Sequence, residues 1–188
     1  MEAILTRSDA TVVRLMRPGL TEAQVRSRLH ELNLEPTAEV LQWFGWHDGA
    51  RRDGERAIAT EIAPGGEFYD LDSLCEGCRE AREVTRQLVQ SGDDAESAAF
   101  YGQMWRSTWL PLLHLFGKGD IVVELPGGGA AVSPVHVVWL DAEPEMSARV
   151  AWPSIQAFVD DVIARFESGE YWVDEQGLVQ GEVIDFPA

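Results

Sequence analysis

The sequence predicts a single α+β domain in which helices flank a mostly antiparallel sheet. Helical spacing of apolar residues dominates residues 20–49, 68–89 and 151–169, whereas residues 119–140 contain two short runs rich in valine. Strands that cluster together instead of alternating with helices are typical of this class. A chain of 188 residues can form one core that needs neither a disulfide nor a metal ion.

Residues 1–17 are predicted to form an N-terminal arm, and residues 18–188 to form the domain itself. Thr21 and Gln24 have the spacing of a capping box, in which the first side-chain oxygen accepts a hydrogen bond from the third backbone N–H of a helix. Apolar residues then follow at helical spacing. The first helix of the domain is therefore expected to begin after Thr21.

The second helix is predicted to carry the aromatic stretch WFGWHDG, residues 43–49. Pro36 suits its first turn, and Gly49 is expected to end it as a left-handed C-terminal cap. Four residues recur on one helical face, namely Val40, Trp43, Phe44 and His47. We therefore predict that the aromatic members are core residues and that the histidine is a hydrogen-bonded packing residue at the rim.

The middle of the chain is predicted to contain a short strand at residues 57–62, a helix introduced by Asp70 or Asp72, and a polar linker or loop at residues 91–99. The apolar stripe of that helix consists of Leu71, Leu74, Cys75 and Cys78. Pro111 argues against an uninterrupted helix in the aromatic-rich segment that follows.

The last third of the chain is predicted to form a β-hairpin, a helix and a second, smaller hairpin. Residues 119–125 and 133–140 are the strands of the first hairpin, and Gly127–Gly129 is its tip. Pro153 is expected in the first turn of the helix. The smaller hairpin is expected to turn at Asp174–Gly177.

Cys75 and Cys78 form a CxxC motif. A redox-active pair needs a thiolate stabilised at a helix N-terminus, usually after a strand. This pair instead lies on an apolar helical stripe with three glutamates nearby, and acidic neighbours raise a thiol pKa. A zinc site would need two further ligands, and the sequence has neither a second CxxC nor a close histidine pair. We therefore predict two buried, reduced cysteines.

No other catalytic or cofactor-binding pattern is present in the sequence. The four histidines are scattered, the triple glycine lacks the lysine of a phosphate-binding loop, and there is no GxSxG nucleophile motif. We therefore predict a binding protein with no catalytic residues, no cofactor and no metal ion. The enzymatic alternatives are a small thiol-redox enzyme that uses Cys75 and Cys78, or chemistry hidden among the 32 carboxylates.

The charge of the chain disfavours two classes of partner. The net charge is −17, and residues 119–188 hold 13 acidic residues against two arginines. Nucleic acids and anionic membranes select basic surfaces, so neither is an expected partner. An acidic surface speeds encounter with a cationic protein, although acidity for solubility alone is the alternative. Because no signal-peptide or membrane-spanning pattern is present, the expected location is the cytoplasm.

Several segments, in this order, resemble the SUKH superfamily, which includes the yeast cell-wall synthesis regulator family and bacterial toxin-immunity proteins. Residues 18–49, PGLTEAQVRSRLHELNLEPTAEVLQWFGWHDG, are similar to its N-terminal signature, although Glu35 replaces the leucine of a Leu-Pro pair. The later WLP and GD elements are similar to its strand segments. The residues that carry the resemblance are Trp43, Trp46, Gly49, Trp109, Pro111, Gly119 and Asp120.

The resemblance implies an α+β fold that has no catalytic site and acts by protein–protein contact. For bacterial members it implies neutralisation of a cognate toxin, often a basic nuclease, which an acidic inhibitor would reach by electrostatic steering. A regulatory scaffold that is unconnected with any toxin is the alternative within the superfamily. The nominated contact residues lie in the loop after the second strand and in the last turn: Asp141, Glu143, Glu145, Asp174 and Glu175.

Overall fold

The computed structural model describes residues 1–52, 57–92, 94–116, 119–139 and 147–183. It confirms the predicted α+β class, with an antiparallel sheet and helices packed against it. Among these residues no helix is both long enough and apolar enough to cross a membrane.

The helices are α1 (Glu2–Arg7), α2 (Val12–Leu15), α3 (Glu22–His30), α4 (Ala38–Trp46), α5 (Leu71–Ser91), α6 (Ala95–Tyr101) and α7 (Ile155–Ser168). The strands are β1 (Met16–Pro18), β2 (His47–Ala50), β3 (Glu61–Ala63), β4 (Gly66–Glu67), β5 (Trp109–Leu115), β6 (Gly119–Glu124), β7 (Val135–Trp139), β8 (Trp172–Val173) and β9 (Val179–Gln180).

The central sheet has the strand order β3–β4–β5–β6–β7, and each neighbouring pair is antiparallel. Two small antiparallel pairs, β1–β2 and β8–β9, lie outside it. Helix α5 packs on β5, and α4 contacts both α3 and α7. One hydrophobic core joins these layers, and its largest fully buried side chains include Trp109, Phe44, Phe68 and Phe158. Both predicted hairpins, β6–β7 and β8–β9, are therefore present.

The N-terminal segment packs into the same core as the rest of the chain. Leu5 is fully buried, and Val12 is 1% exposed. Strand β1 pairs with β2, which aligns Met16 with Ala50. Residues 1–17, predicted as an arm, thus contribute to the core.

Helix starts follow local capping chemistry closely. Thr21 and Gln24 form the predicted capping box, and the Asp70 carboxylate accepts a hydrogen bond from the Ser73 N–H at the start of α5.

Pro36 and Pro153 do not lie in the first turns of their helices as predicted. Each of them instead precedes the capping residue, which is Thr37 for α4 and Ser154 for α7.

The end of α4 differs from the prediction. The helix stops at Trp46, and His47 is already extended as the first residue of β2. Gly49 has the expected left-handed backbone (φ 69°), but it lies in that strand and does not cap the helix. The physical reason is tertiary, because a Cβ on Gly49 would lie 2.3 Å from the backbone of Tyr69 and Asp70. Pairing with β1 and this close approach end the helix early.

Two further segments differ from their predictions. The strand expected at residues 57–62 is a 3-10 turn (Ala57–Thr60) followed by β3, which starts only at Glu61. The linker expected at residues 91–99 contains the first part of α6. Asp94 starts this helix by accepting a hydrogen bond from the Ser97 N–H, a capping signal that the polar composition concealed.

Candidate protein-binding surface

The aromatic stretch at residues 43–49 is divided between core and surface. Trp43 is 4% exposed and packs edge-on against Phe68, with ring centroids 5.5 Å apart. Trp46 is partly buried, and its indole Nε1 donates a hydrogen bond of 2.9 Å to the Glu2 carboxylate on α1. Trp43 is thus the predicted core residue, whereas Trp46 joins α1 to α4 at the surface.

The two polar residues that follow are also structural. His47 Nδ1 lies 2.8 Å from the carbonyl oxygen of Arg17 and must donate to it, since a carbonyl can only accept. The buried carboxylate of Asp48 accepts a 2.9 Å hydrogen bond from the Leu71 N–H and lies 3.5 Å from the guanidinium of Arg17. Burial raises the pKa of Asp48, and these contacts oppose the rise. His47 is the hydrogen-bonded packing residue that the sequence predicted.

A groove of about 770 Å³ lies between α1, α4 and α7. Its apolar side chains are Met1, Ala3, Trp43, Trp46, Ile155 and Val159. Its charged side chains are Glu2 and Glu39, and its lining contains no lysine, arginine or histidine. The hydrogen bond from Trp46 keeps the pKa of Glu2 below its usual range, so this carboxylate is ionised at neutral pH.

Glu39 fixes one wall of this groove. Its Oε2 accepts hydrogen bonds from the backbone N–H groups of Ser133 (2.8 Å) and Ile155 (3.2 Å). The N-terminus of α7 is thereby tied to α4, and a carboxylate occupies the positive end of the helix dipole. Helical spacing from Glu39 through Gln42, Trp43 and Trp46 is the sequence signal for this face, which the search for catalytic patterns missed.

An acidic surface continues from the groove along α7 and the β8–β9 hairpin. Residues 147–183 hold seven acidic residues and two arginines. The exposed acids are Asp160, Glu167, Glu170, Glu175 and Glu182. Trp172 stands among them and is 53% exposed. Glu167 and Trp172 line one concavity of about 470 Å³, to which α1 contributes Ile4 and the cationic Arg7.

The chain matches no known protein-family pattern, and no curated protein is significantly similar to it.

The nominated contact acids have different positions. Asp141, Glu143 and Glu145 lie outside the described residues. Asp174 shapes the last turn, because its Oδ1 accepts hydrogen bonds from the N–H groups of Gln176 (2.8 Å) and Leu178 (3.0 Å). Glu175 is exposed at the same turn, three residues from Trp172.

The later residues that carry the family resemblance lie in the strands β5 and β6 of the central sheet. Trp109 is fully buried in β5 and packs edge-on against Trp105. Pro111 lies in the same strand, beside a register irregularity that accommodates its missing N–H. Gly119 allows close strand contact, since a Cβ there would lie 2.0 Å from the Val138 carbonyl oxygen. Asp120 lies 3.1 Å from His114 Nδ1.

Both cysteines are free and buried, as predicted. Burial raises the pKa of Cys75 to about 12 and also raises that of Cys78. The Cys78 thiol donates a 3.5 Å hydrogen bond to the carbonyl oxygen of Trp109. In the part of the chain that the structure describes, no group of three or more His, Cys, Asp or Glu residues is placed to hold a metal ion.

Proposed function

We propose that this protein is a non-catalytic, cytoplasmic binding domain that neutralises a basic protein partner, as an immunity protein neutralises its cognate toxin. The observation that carries the proposal is the exposure of Trp172 among the acids of α7 and the β8–β9 hairpin. Tryptophan is enriched at the energetic centre of protein interfaces, and surrounding carboxylates favour a partner of opposite charge.

The resemblance to the SUKH superfamily supports the same function, since its bacterial members act by binding toxins. A toxin that cleaves nucleic acid has a basic surface for its phosphates, and an acidic inhibitor is steered towards that surface. The burial of both thiols supports binding over thiol-redox chemistry, because a nucleophilic cysteine needs an accessible thiolate.

The experiment uses the protein encoded by the neighbouring gene as the candidate toxin. Affinity is measured by calorimetry at low and high salt for the wild type and for the triple variant Glu167→Lys, Glu170→Lys, Glu175→Lys. We expect the triple variant to bind at least tenfold more weakly and to show a shallower salt dependence. Trp172→Ala is expected to weaken binding by roughly 2 kcal/mol.

The matched control reverses three exposed acids elsewhere, in the variant Glu76→Lys, Glu80→Lys, Glu96→Lys. Its net charge equals that of the first variant, so a general charge effect would weaken both equally. Equal affinities of the two variants would contradict the proposed surface. A neighbouring protein that binds without being a toxin would favour the regulatory scaffold instead.

A further inference from the structure

We infer that the groove between α1, α4 and α7 receives an apolar side chain from a basic segment of the partner, while a lysine or arginine next to that side chain meets Glu2 and Asp160. This inference rests on the proposed function and adds where the partner is held and by what chemistry. Residues of all three helices line this groove.

The groove is large enough to receive an anchoring side chain. Its volume of about 770 Å³ falls within the range of roughly 300–1,000 Å³ that is usual for ligand-sized pockets. The wall is held in place before any partner arrives. Trp46 is fixed by its hydrogen bond to Glu2 and by stacking on Phe68 at a centroid distance of 5.7 Å, while Glu39 holds the start of α7. A preformed wall lowers the entropic cost of binding.

The charge of the groove selects the occupant. The Glu2 carboxylate is ionised, and Asp160 is exposed one helical turn beyond Gln156, whose side-chain amide donates a 2.8 Å hydrogen bond to it. The Met1 amino group offsets part of this negative charge, since it also lowers the pKa of Glu2. An acidic occupant would be repelled, and a second copy of this chain would bring its own net charge of −17. An apolar segment flanked by cations matches both the apolar walls of the groove and the carboxylates of Glu2 and Asp160 at its rim.

The position of the groove makes it part of the same footprint as Trp172. Helices α1 and α7 line both the groove and the second concavity, which contains Glu167 and Trp172. Gln156 and Glu167 lie eleven residues apart on α7, which corresponds to about 16 Å along the helix. A partner surface of standard size, about 800 Å², is large enough to cover both concavities.

The experiment uses three synthetic 15-residue peptides as probes. The first peptide has leucines on one face of a helix and lysines on the other. The second replaces every lysine with glutamate, and the third replaces every leucine with serine. Binding is measured by calorimetry, and the tryptophan indole N–H signals are followed by NMR. We expect the leucine–lysine peptide to bind at least tenfold more tightly than either of the others and to shift the Trp46 signal.

A matched pair of variants locates the site. Gln42 and Gln90 are both exposed helical glutamines, but only Gln42 lines the groove. Gln42→Lys adds a cation to the groove and is expected to weaken peptide binding at least tenfold, whereas Gln90→Lys leaves it unchanged. Glu2→Gln is expected to weaken it severalfold, and Glu22→Gln on α3 is its control. Unfolding curves of all four variants verify that each one folds.

Equal binding of the acidic or the leucine-free peptide, or wild-type affinity in Gln42→Lys, would overturn the inference. So would a dimer in sedimentation experiments that Gln42→Lys dissociates, because the occupant would then be a second copy. The outcome is separate from that of the proposed function. If the affinity for a toxin falls in the triple variant with lysine at positions 167, 170 and 175 but not in Gln42→Lys, the proposed function stands. In that case the groove is not part of the surface that binds the toxin.

Discussion

Glu61 and Glu67 face each other across β3 and β4, and they are only 4% and 3% exposed. Burial raises the pKa of Glu61 to about 7, and the neighbouring Glu67 adds to the rise, although the Gly65 N–H donates a hydrogen bond to Glu61. Tyr69 donates a 2.8 Å hydrogen bond to Glu67, and the Arg52 guanidinium lies 3.6 Å from it. Burial raises the pKa of Glu67 as well, although the nearby Arg52 guanidinium opposes that rise.

The first prediction concerns the pH dependence of stability. The folded-state pKa of Glu61 lies above its ordinary value of 4.5, so between these two values the folded state binds more protons than the unfolded state. The contribution of Glu61 to stability is therefore full at low pH and is lost as pH rises through about 7. The loss is at most about 1.4 kcal/mol per pH unit.

Glu61→Gln removes this titration while keeping an oxygen that can accept the hydrogen bond from Gly65. As pH rises from 5 to 8, we expect the free energy of unfolding of Glu61→Gln to increase relative to that of the wild type. Urea unfolding at four pH values measures this difference. Glu35→Gln, at an exposed glutamate, serves as control. Curves for Glu61→Gln and wild type that run parallel over this range would refute the assignment.

The second prediction separates the core tryptophan from the surface one. Trp43→Ala removes a nearly fully buried side chain and is expected to cost about 3–5 kcal/mol of unfolding free energy, because a cavity remains. Trp172→Ala changes an exposed position and is expected to stay within about 0.5 kcal/mol of the wild type. Urea unfolding monitored by far-ultraviolet circular dichroism measures both. An unchanged midpoint for Trp43→Ala would contradict its place in the core.

The third prediction tests the close approach at Gly49. Gly49→Ala places a Cβ against the backbone of Tyr69 and Asp70 at a positive φ, and we expect a loss of at least about 2 kcal/mol in stability. Gly77→Ala in the middle of α5 meets nothing within 4 Å. It is expected to raise stability by about 0.5–1 kcal/mol, since alanine favours helix. Thermal unfolding measures both variants. We expect the unfolding temperature to fall for Gly49→Ala and to rise for Gly77→Ala, and these opposite shifts are the decisive result.

The fourth prediction concerns the thiols. In the native protein Cys75 and Cys78 are expected to react with a thiol-specific reagent far more slowly than free cysteine does at pH 8, because both are buried and have raised pKa values. In denaturant both are expected to react at the ordinary rate, which gives two thiols per chain. A rapid native reaction of one thiol at pH 6 would instead support the thiol-redox alternative.

The elements that sequence predicts well here depend on neighbours in the chain. The Thr21–Gln24 capping box, the buried stripe from Leu71 to Cys78 and the two C-terminal hairpins all involve short-range spacing. The same rules failed at Gly49 and before α6. A glycine with positive φ suits a helix end and a tight strand contact equally well, and Asp94 was a cap within a segment whose composition resembled a linker.

The amino-acid sequence by itself determined the α+β class, the burial of the CxxC motif and the strongly acidic character of the chain, because periodicity, composition and net charge are properties of residues read in order. Only the tertiary structure decided that Glu2 meets Trp46 across 44 positions, that Glu39 holds the start of α7 across 116, and that Glu61 is buried opposite Glu67. These contacts depend on how helices and strands pack, and no local spacing encodes them. The groove between α1, α4 and α7 is a product of that packing.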